Sequence, residues 1–183
     1  MRYATFWQRF SAMLIDFLVL APVLVVHRWA DSVSKSAAMA LLVPLTYVYV
    51  GYSIYYHGRF GQTLGKLFMG IRIVNRNGEA IGWTKAWLRS SLDVLFTALS
   101  VVAQFMALAA IADHDYYNVG WMQRYQNLYA LRPAWLSWTD TIIEIWSWSE
   151  VIVMLFNRER RALHDFIAGT VVIALPKTQD HAA

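Results

Sequence analysis

Phe6-Trp7-Gln8-Arg9-Phe10-Ser11-Ala12-Met13-Leu14-Ile15-Asp16-Phe17-Leu18-Val19-Leu20 opens an apolar run that continues to Val26 and carries two ionisable residues, Arg9 and Asp16. A carboxylate at membrane depth costs roughly 3 kcal/mol on insertion scales. Each Leu, Ile, Phe or Val returns about 0.3–0.6 kcal/mol. Asp16 therefore cancels around six good apolar residues. Phe10 to Val26 holds eleven of them, so the stretch still inserts. A group that expensive is expected to face the interior and to have a partner. Arg9 and Asp16 are seven positions apart, close to two helical turns, and share one stripe. The rise between them, about 10 Å, makes a direct bond improbable, so each is expected to pair with another element.

Composition extends this reading to the whole chain. Of 183 residues, 58% are hydrophobic and only 15% charged, against about 25% charged in a soluble domain. Nine Trp and ten Tyr suit membrane interfaces. Four spans are expected, at about Phe10–Val26, Ala37–Tyr56, Leu92–Ala112 and Trp135–Phe156. The last contains Asp140, Glu144 and Glu150. The fold class is thus an all-α membrane protein of about four transmembrane helices, with residues 1–183 forming a single transmembrane domain. The first run holds Asp16 and lacks a small-residue cleavage site, so it reads as a retained span.

Twelve basic residues flank one side of these spans: Arg2, Arg9, Arg59, Lys66, Arg72, Arg76, Lys85, Arg89, Arg158, Arg160, Arg161 and Lys177. Arg28, Lys35, Arg124 and Arg132 flank the other. By the positive-inside rule both termini are cytoplasmic, in an inner (plasma) membrane. The pI of about 9.4 reflects these loops and not a nucleic-acid partner. The segment Asp113–Pro133 is expected to face outward.

The cytoplasmic segments carry their own signals. Gln62–Met69 reads as a short interfacial helix. Gly70–Asn75 alternates like a half-buried strand, and Asn77-Gly78 is a turn signal. Arg161–Ile167 reads as a short helix ended by Gly169 at C′. Thr170–Leu175 has β character, stopped by Pro176. The two strands are expected to pair, giving a small cytoplasmic cap with a short β-pair.

These motifs resemble the RDD family, named for an Arg and two Asp. The matching residues are Arg9-Phe10-Ser11-Ala12-Met13-Leu14-Ile15-Asp16, then Gly61-Gln62-Thr63-Leu64-Gly65-Lys66, Gly70-Ile71-Arg72-Ile73-Val74 and Leu88-Arg89. Arg161-Ala162-Leu163-His164-Asp165 and Ala168-Gly169-Thr170-Val171-Val172 close the pattern. The resemblance implies membrane location, and ion or proton antiport has been proposed for some members. The segment Asp113–Pro133 and the acidic fourth span are longer and more polar than the family pattern requires.

The binding or coupling candidates are Arg9, Asp16, Asp165 and Glu150. Asp165 is a natural partner for Arg9 or for Lys66, and such a pair would staple tail and loop to the bundle. Lys66, Arg89 and Asp93 are the structural ion-pair candidates, Arg89 and Asp93 being four apart on one helix face. Glu150 lies in an apolar, Trp-rich setting that favours a protonatable carboxyl. A transport path would connect Asp16, Gln104 and Glu150. Asp113-His114-Asp115 reads as an exposed loop end, and no metal or cofactor is expected. The glycines of Gly61–Lys66 lack phosphate-loop spacing and are expected to permit close backbone approach. His164-Asp165 has no nucleophile at a matching position, so no enzyme is expected. The expected partners are the lipid bilayer, an ion or small solute and a second copy of the chain. The leading function is ion, proton or small-solute exchange, and the runner-up is a non-catalytic membrane scaffold or assembly factor.

Overall fold

The computed structural model describes residues 1–176. Lys177, counted among the basic residues above, lies outside the described residues. The elements run α1 (Phe6–Val33), α2 (Lys35–Phe60), α3 (Leu64–Phe68), β1 (Ile71–Asn75), α4 (Gly82–Ala110), α5 (Asp113–Tyr117), α6 (Trp121–Ala130), α7 (Trp135–Phe156), α8 (Leu163–Ala168) and β2 (Thr170–Ala174).

Local chemistry sets the boundaries. Thr5 and Gln8 form a capping box before α1: Gln8 N donates to Thr5 Oγ1 (3.2 Å), and Thr5 N donates to Gln8 Oε1 (2.9 Å). Ser34 separates α1 from α2 and accepts the Ala37 N–H (3.0 Å). Gly169 closes α8 at φ 64°, a left-handed conformation that an L side chain rarely adopts.

Three helices are long and apolar enough to cross a membrane: α1, α2 and α4. These are three of the four expected spans. The fourth segment does form a 22-residue helix, α7, but Asp140, Glu144 and Glu150 interrupt it too often for it to qualify by composition. The long helices expose apolar side chains such as Phe17, Leu18, Leu24 and Val25 on α1, the pattern of a lipid-facing surface.

The chain groups into two compact units. The first comprises Met1–Ala21, Gly51–Ser91 and the chain from Ser147 on. It contains the expected β-pair: β1 and β2 are antiparallel, with Ile71 opposite Ala174 and Asn75 opposite Thr170. The N-terminal segment adds to the free edge of β2, an extension that the five residues before α1 do not announce. Tyr3 bridges Ile173, Ala4 N donates to Val172 O (2.9 Å) and Ala174 N donates to Arg2 O (2.8 Å). Ala4, Ala12, Ile71, Ile73, Ile81, Ala86 and Val172 form the core beneath this sheet.

The second unit comprises Pro22–Val50 and Leu92–Trp146. Its core gathers Ala38, Leu42, Val101, Leu108, Ile111 and Tyr116. The segment Asp113–Pro133 is largely helical here. The carbonyl of Asp31 anchors it, accepting from Tyr116 Oη (2.9 Å) and Arg124 Nη1 (2.8 Å). Burial raises the pKa of the Tyr116 phenol, which therefore stays a donor.

Candidate functional site

Arg9, Asp16, Arg89 and Asp165 all lie in the first unit, in two hydrogen-bond networks. Asp16, on α1, is 4% exposed. Its Oδ1 accepts from Tyr52 Oη (2.7 Å) and from Gly65 N (2.8 Å), and its Oδ2 accepts from Thr63 Oγ1 (2.6 Å). Thr63 is also the N-cap of α3, and Tyr52 Oη accepts Leu64 N–H (2.9 Å). One carboxylate thus positions the start of α3 against α1. Close approach is obligatory there. A Cβ on Gly65 would strike the Ala12 carbonyl and stand 2.9 Å from Asp16 Cγ. This is the tight backbone contact expected of that glycine.

Asp165, on α8, is fully buried. Its Oδ2 accepts from Arg9 Nη1 (2.8 Å) and from Ala162 N (3.0 Å), the latter a reach-back to the start of its own helix. Its Oδ1 accepts from Arg89 Nη1 and from Thr170 Oγ1 (3.1 Å). Burial alone would raise the Asp165 pKa, but Arg89, His164 and Arg9 together hold it well below the ordinary carboxylate range. Arg161 completes the setting, donating from Nε to Thr170 O (3.1 Å) and from Nη2 to Asp165 O (3.0 Å).

Arg89 fans out to Asp165, Thr170 and His164. A guanidinium only donates, so His164 Nε2 accepts and its Nδ1–H faces Glu150. Glu150 Oε1 also accepts His164 N–H (2.9 Å). Glu150 therefore ties α7 to the first residues of α8. Asp93 lies exposed on α4, within the second unit. Gln104 is also in the second unit and lines a pocket there with Tyr125, Tyr129 and Arg132.

Lys66 is placed differently from the expectation. Among the described residues it has no carboxylate in ion-pair range, and Asp165 is not its partner. Its Nζ lies 3.1 Å from Nε2 of His57, a residue 4% exposed. His57 Nδ1 meets Ser53 Oγ at 3.2 Å. A protonated ammonium donates, so Nε2 accepts and Nδ1–H points to Ser53. The charges around the pair come from every neighbouring element: Asp16 and Arg9 on α1, Arg89 on α4, and His164 and Asp165 on α8. Desolvation, followed by the repulsion of Arg89, lowers the Lys66 pKa to about 8. Nothing local marked His57 in the sequence. It sits in an aromatic helix nine positions before Lys66, and only the fold brings the two together.

Among the described residues no three His, Cys, Asp or Glu side chains converge as a metal site would require. His114 and Asp115 approach at 3.3 Å, both exposed.

Long apolar helices, a small two-stranded sheet and the buried Asp16, Arg89 and Asp165 define a membrane protein with ionisable residues in its interior. The chain belongs to the RDD family, which it matches over residues 3–169. No curated protein and no solved structure compared with it gives a significant match.

Proposed function

We propose that this RDD protein is a multi-pass protein of the inner (plasma) membrane that exchanges protons for an ion or a small solute. Both termini and the segment carrying β1 are cytoplasmic, and the working form is a homo-oligomer, because so few spans enclose little space. No enzymatic step is part of this reading.

The observation that carries it is the Lys66–His57 contact. A buried ammonium hydrogen-bonded to an imidazole, without a carboxylate partner, can lose its proton near neutral pH at small cost. Lys66 in the protonated form donates to His57 Nε2. After losing the proton, Nζ can accept from the imidazole. Asp16 and Glu150 suit this role less, because their oxygens are already engaged by three and two donors that fix neighbouring elements. Exchange is therefore assigned to Lys66 and His57, with Asp16 positioning α3.

The test is proteoliposome flux under Na⁺, K⁺ and H⁺ gradients, read with an entrapped pH dye. Lys66→Arg keeps the charge but cannot release it. Wild type should move protons against one of the cations, and Lys66→Arg should not. Wild-type flux in Lys66→Arg would remove the assignment to Lys66.

The Asp165 network favours a second reading. A carboxylate with four donors is a staple, and a scaffold or assembly factor needs nothing more of it. Wild-type protein inert under every gradient would favour this second function.

A further inference from the structure

The first unit contains a groove of about 380 Å³, within the size range of small-ligand sites. One wall is α1, where Phe6, Phe10 and Met13 recur on a single helical face. The other wall is α7, through Trp148, Val151 and Met154. The polar lining comes from Arg9, Glu150 and His164. Glu150 accepts from both the N–H and the Nδ1–H of His164, so its oxygens are already engaged. Arg9 is different. Its Nη1 is on Asp165 and its Nη2 on the Arg160 carbonyl (2.6 Å), but its Nε is buried without a hydrogen-bond partner. A buried donor in that state calls for an acceptor oxygen.

The turn beyond α7 supplies the rest of the site. Arg160 has a left-handed backbone, φ 51°, uncommon outside glycine. That conformation accompanies the turning of its carbonyl onto Arg9. The side chains of Arg158 and Arg160 are exposed, and among the described residues neither forms an ion pair. The Arg160 carbonyl on Arg9 Nη2 brings this turn to the apolar groove, where the Arg9 Nε–H has no hydrogen-bond partner among the described residues. The preceding residues, Leu155 and Phe156, are exposed and apolar, as befits a helix end at a lipid boundary.

We infer that this groove is a binding site for an anionic phospholipid, with one acyl chain between α1 and α7 and the phosphate at the Arg158–Arg160 turn. The apolar walls recognise the chain. The exposed Arg158 and Arg160 distinguish an anionic head from a zwitterionic one. Arg9 Nε–H supplies a donor for an ester or phosphate oxygen. The inference is independent of whether the protein transports anything.

The experiment is native mass spectrometry of the purified protein, released from detergent in equimolar phosphatidylglycerol and phosphatidylcholine. Wild type should retain phosphatidylglycerol in preference. The double variant Arg158→Gln/Arg160→Gln alters two exposed side chains that form no ion pair among the described residues and should leave the fold intact. It should lose the preference by about fivefold per arginine removed. Met13→Trp fills the groove and should reduce adducts of both lipids, with circular dichroism checking that the helices persist. Equal retention of the two lipids by wild type would overturn the proposal. So would a preference that survives the double arginine variant, or adducts undiminished in a folded Met13→Trp protein.

Discussion

Arg9 and Asp165 lie 156 positions apart in the chain and meet at 2.8 Å, with the carboxylate fully buried. This one ion pair joins the first turns of the first long helix to the last helix before the sheet. Arg89 reaches the other oxygen of the same carboxylate, so three segments of the first unit converge on Asp165.

Asp165→Ala should cost about 3–5 kcal/mol, because it leaves two buried guanidiniums without their counter-ion. Limited proteolysis of the purified variant should cut near Arg160 or Arg72 faster than in wild type. Cleavage at the wild-type rate would show that Asp165 contributes little to the cap.

The same residue sets an acid limit. Its folded pKa lies below that of an unfolded aspartate, so between the two values the unfolded chain binds more protons. The stabilisation is complete above the unfolded value, about 4, and is lost as pH falls below it. Melting temperature in detergent should drop more steeply from pH 5 to pH 3 in wild type than in Asp165→Asn.

Lys66 predicts the opposite end of the pH scale. Its folded pKa of about 8 lies below the ordinary 10.5. Across that window the unfolded chain binds the extra proton, so stability should rise with pH from about 8 to 10.5. Relative to Lys66→Met, wild type should gain up to about 3 kcal/mol over the window. Parallel melting curves for the two proteins would mean that Lys66 is solvated.

Asp16→Asn keeps the shape but turns one acceptor into a donor facing the Tyr52, Thr63 and Gly65 donors. A loss of about 1–3 kcal/mol is expected. Gly65→Ala should be destabilising too, by about 1–3 kcal/mol, because its Cβ meets backbone that cannot yield easily. Both are measured as detergent melting temperatures.

The chain has no cysteine, so single cysteines report topology cleanly. An impermeant thiol reagent applied to intact cells should label position 124 and spare position 76. The reverse pattern would invert the proposed orientation.

The sequence by itself determined the elements. Apolar runs of spanning length gave the long helices, and alternation in Gly70–Asn75 and the β character of Thr170–Leu175 gave two strands that pair as expected. Gly169 marked the end of α8, the cost of charge in an apolar run singled out Arg9 and Asp16, and the tail motif pointed to Asp165 as a partner. These are local properties, set by helical or strand period and by backbone sterics. The three carboxylates of α7 were equally legible, and they set it apart in composition from the other three expected spans.

Tertiary structure alone decided the partners. Asp165 took Arg9 and Arg89, whereas Lys66 took His57. Asp16 found Tyr52, Thr63 and a backbone N–H, and the N-terminal segment joined the sheet edge. Each of these contacts joins residues separated by stretches of chain whose packing no local pattern specifies. A hydrogen bond of about 3 Å depends on how helices dock, and docking follows from the fit of whole surfaces rather than the spacing within one segment.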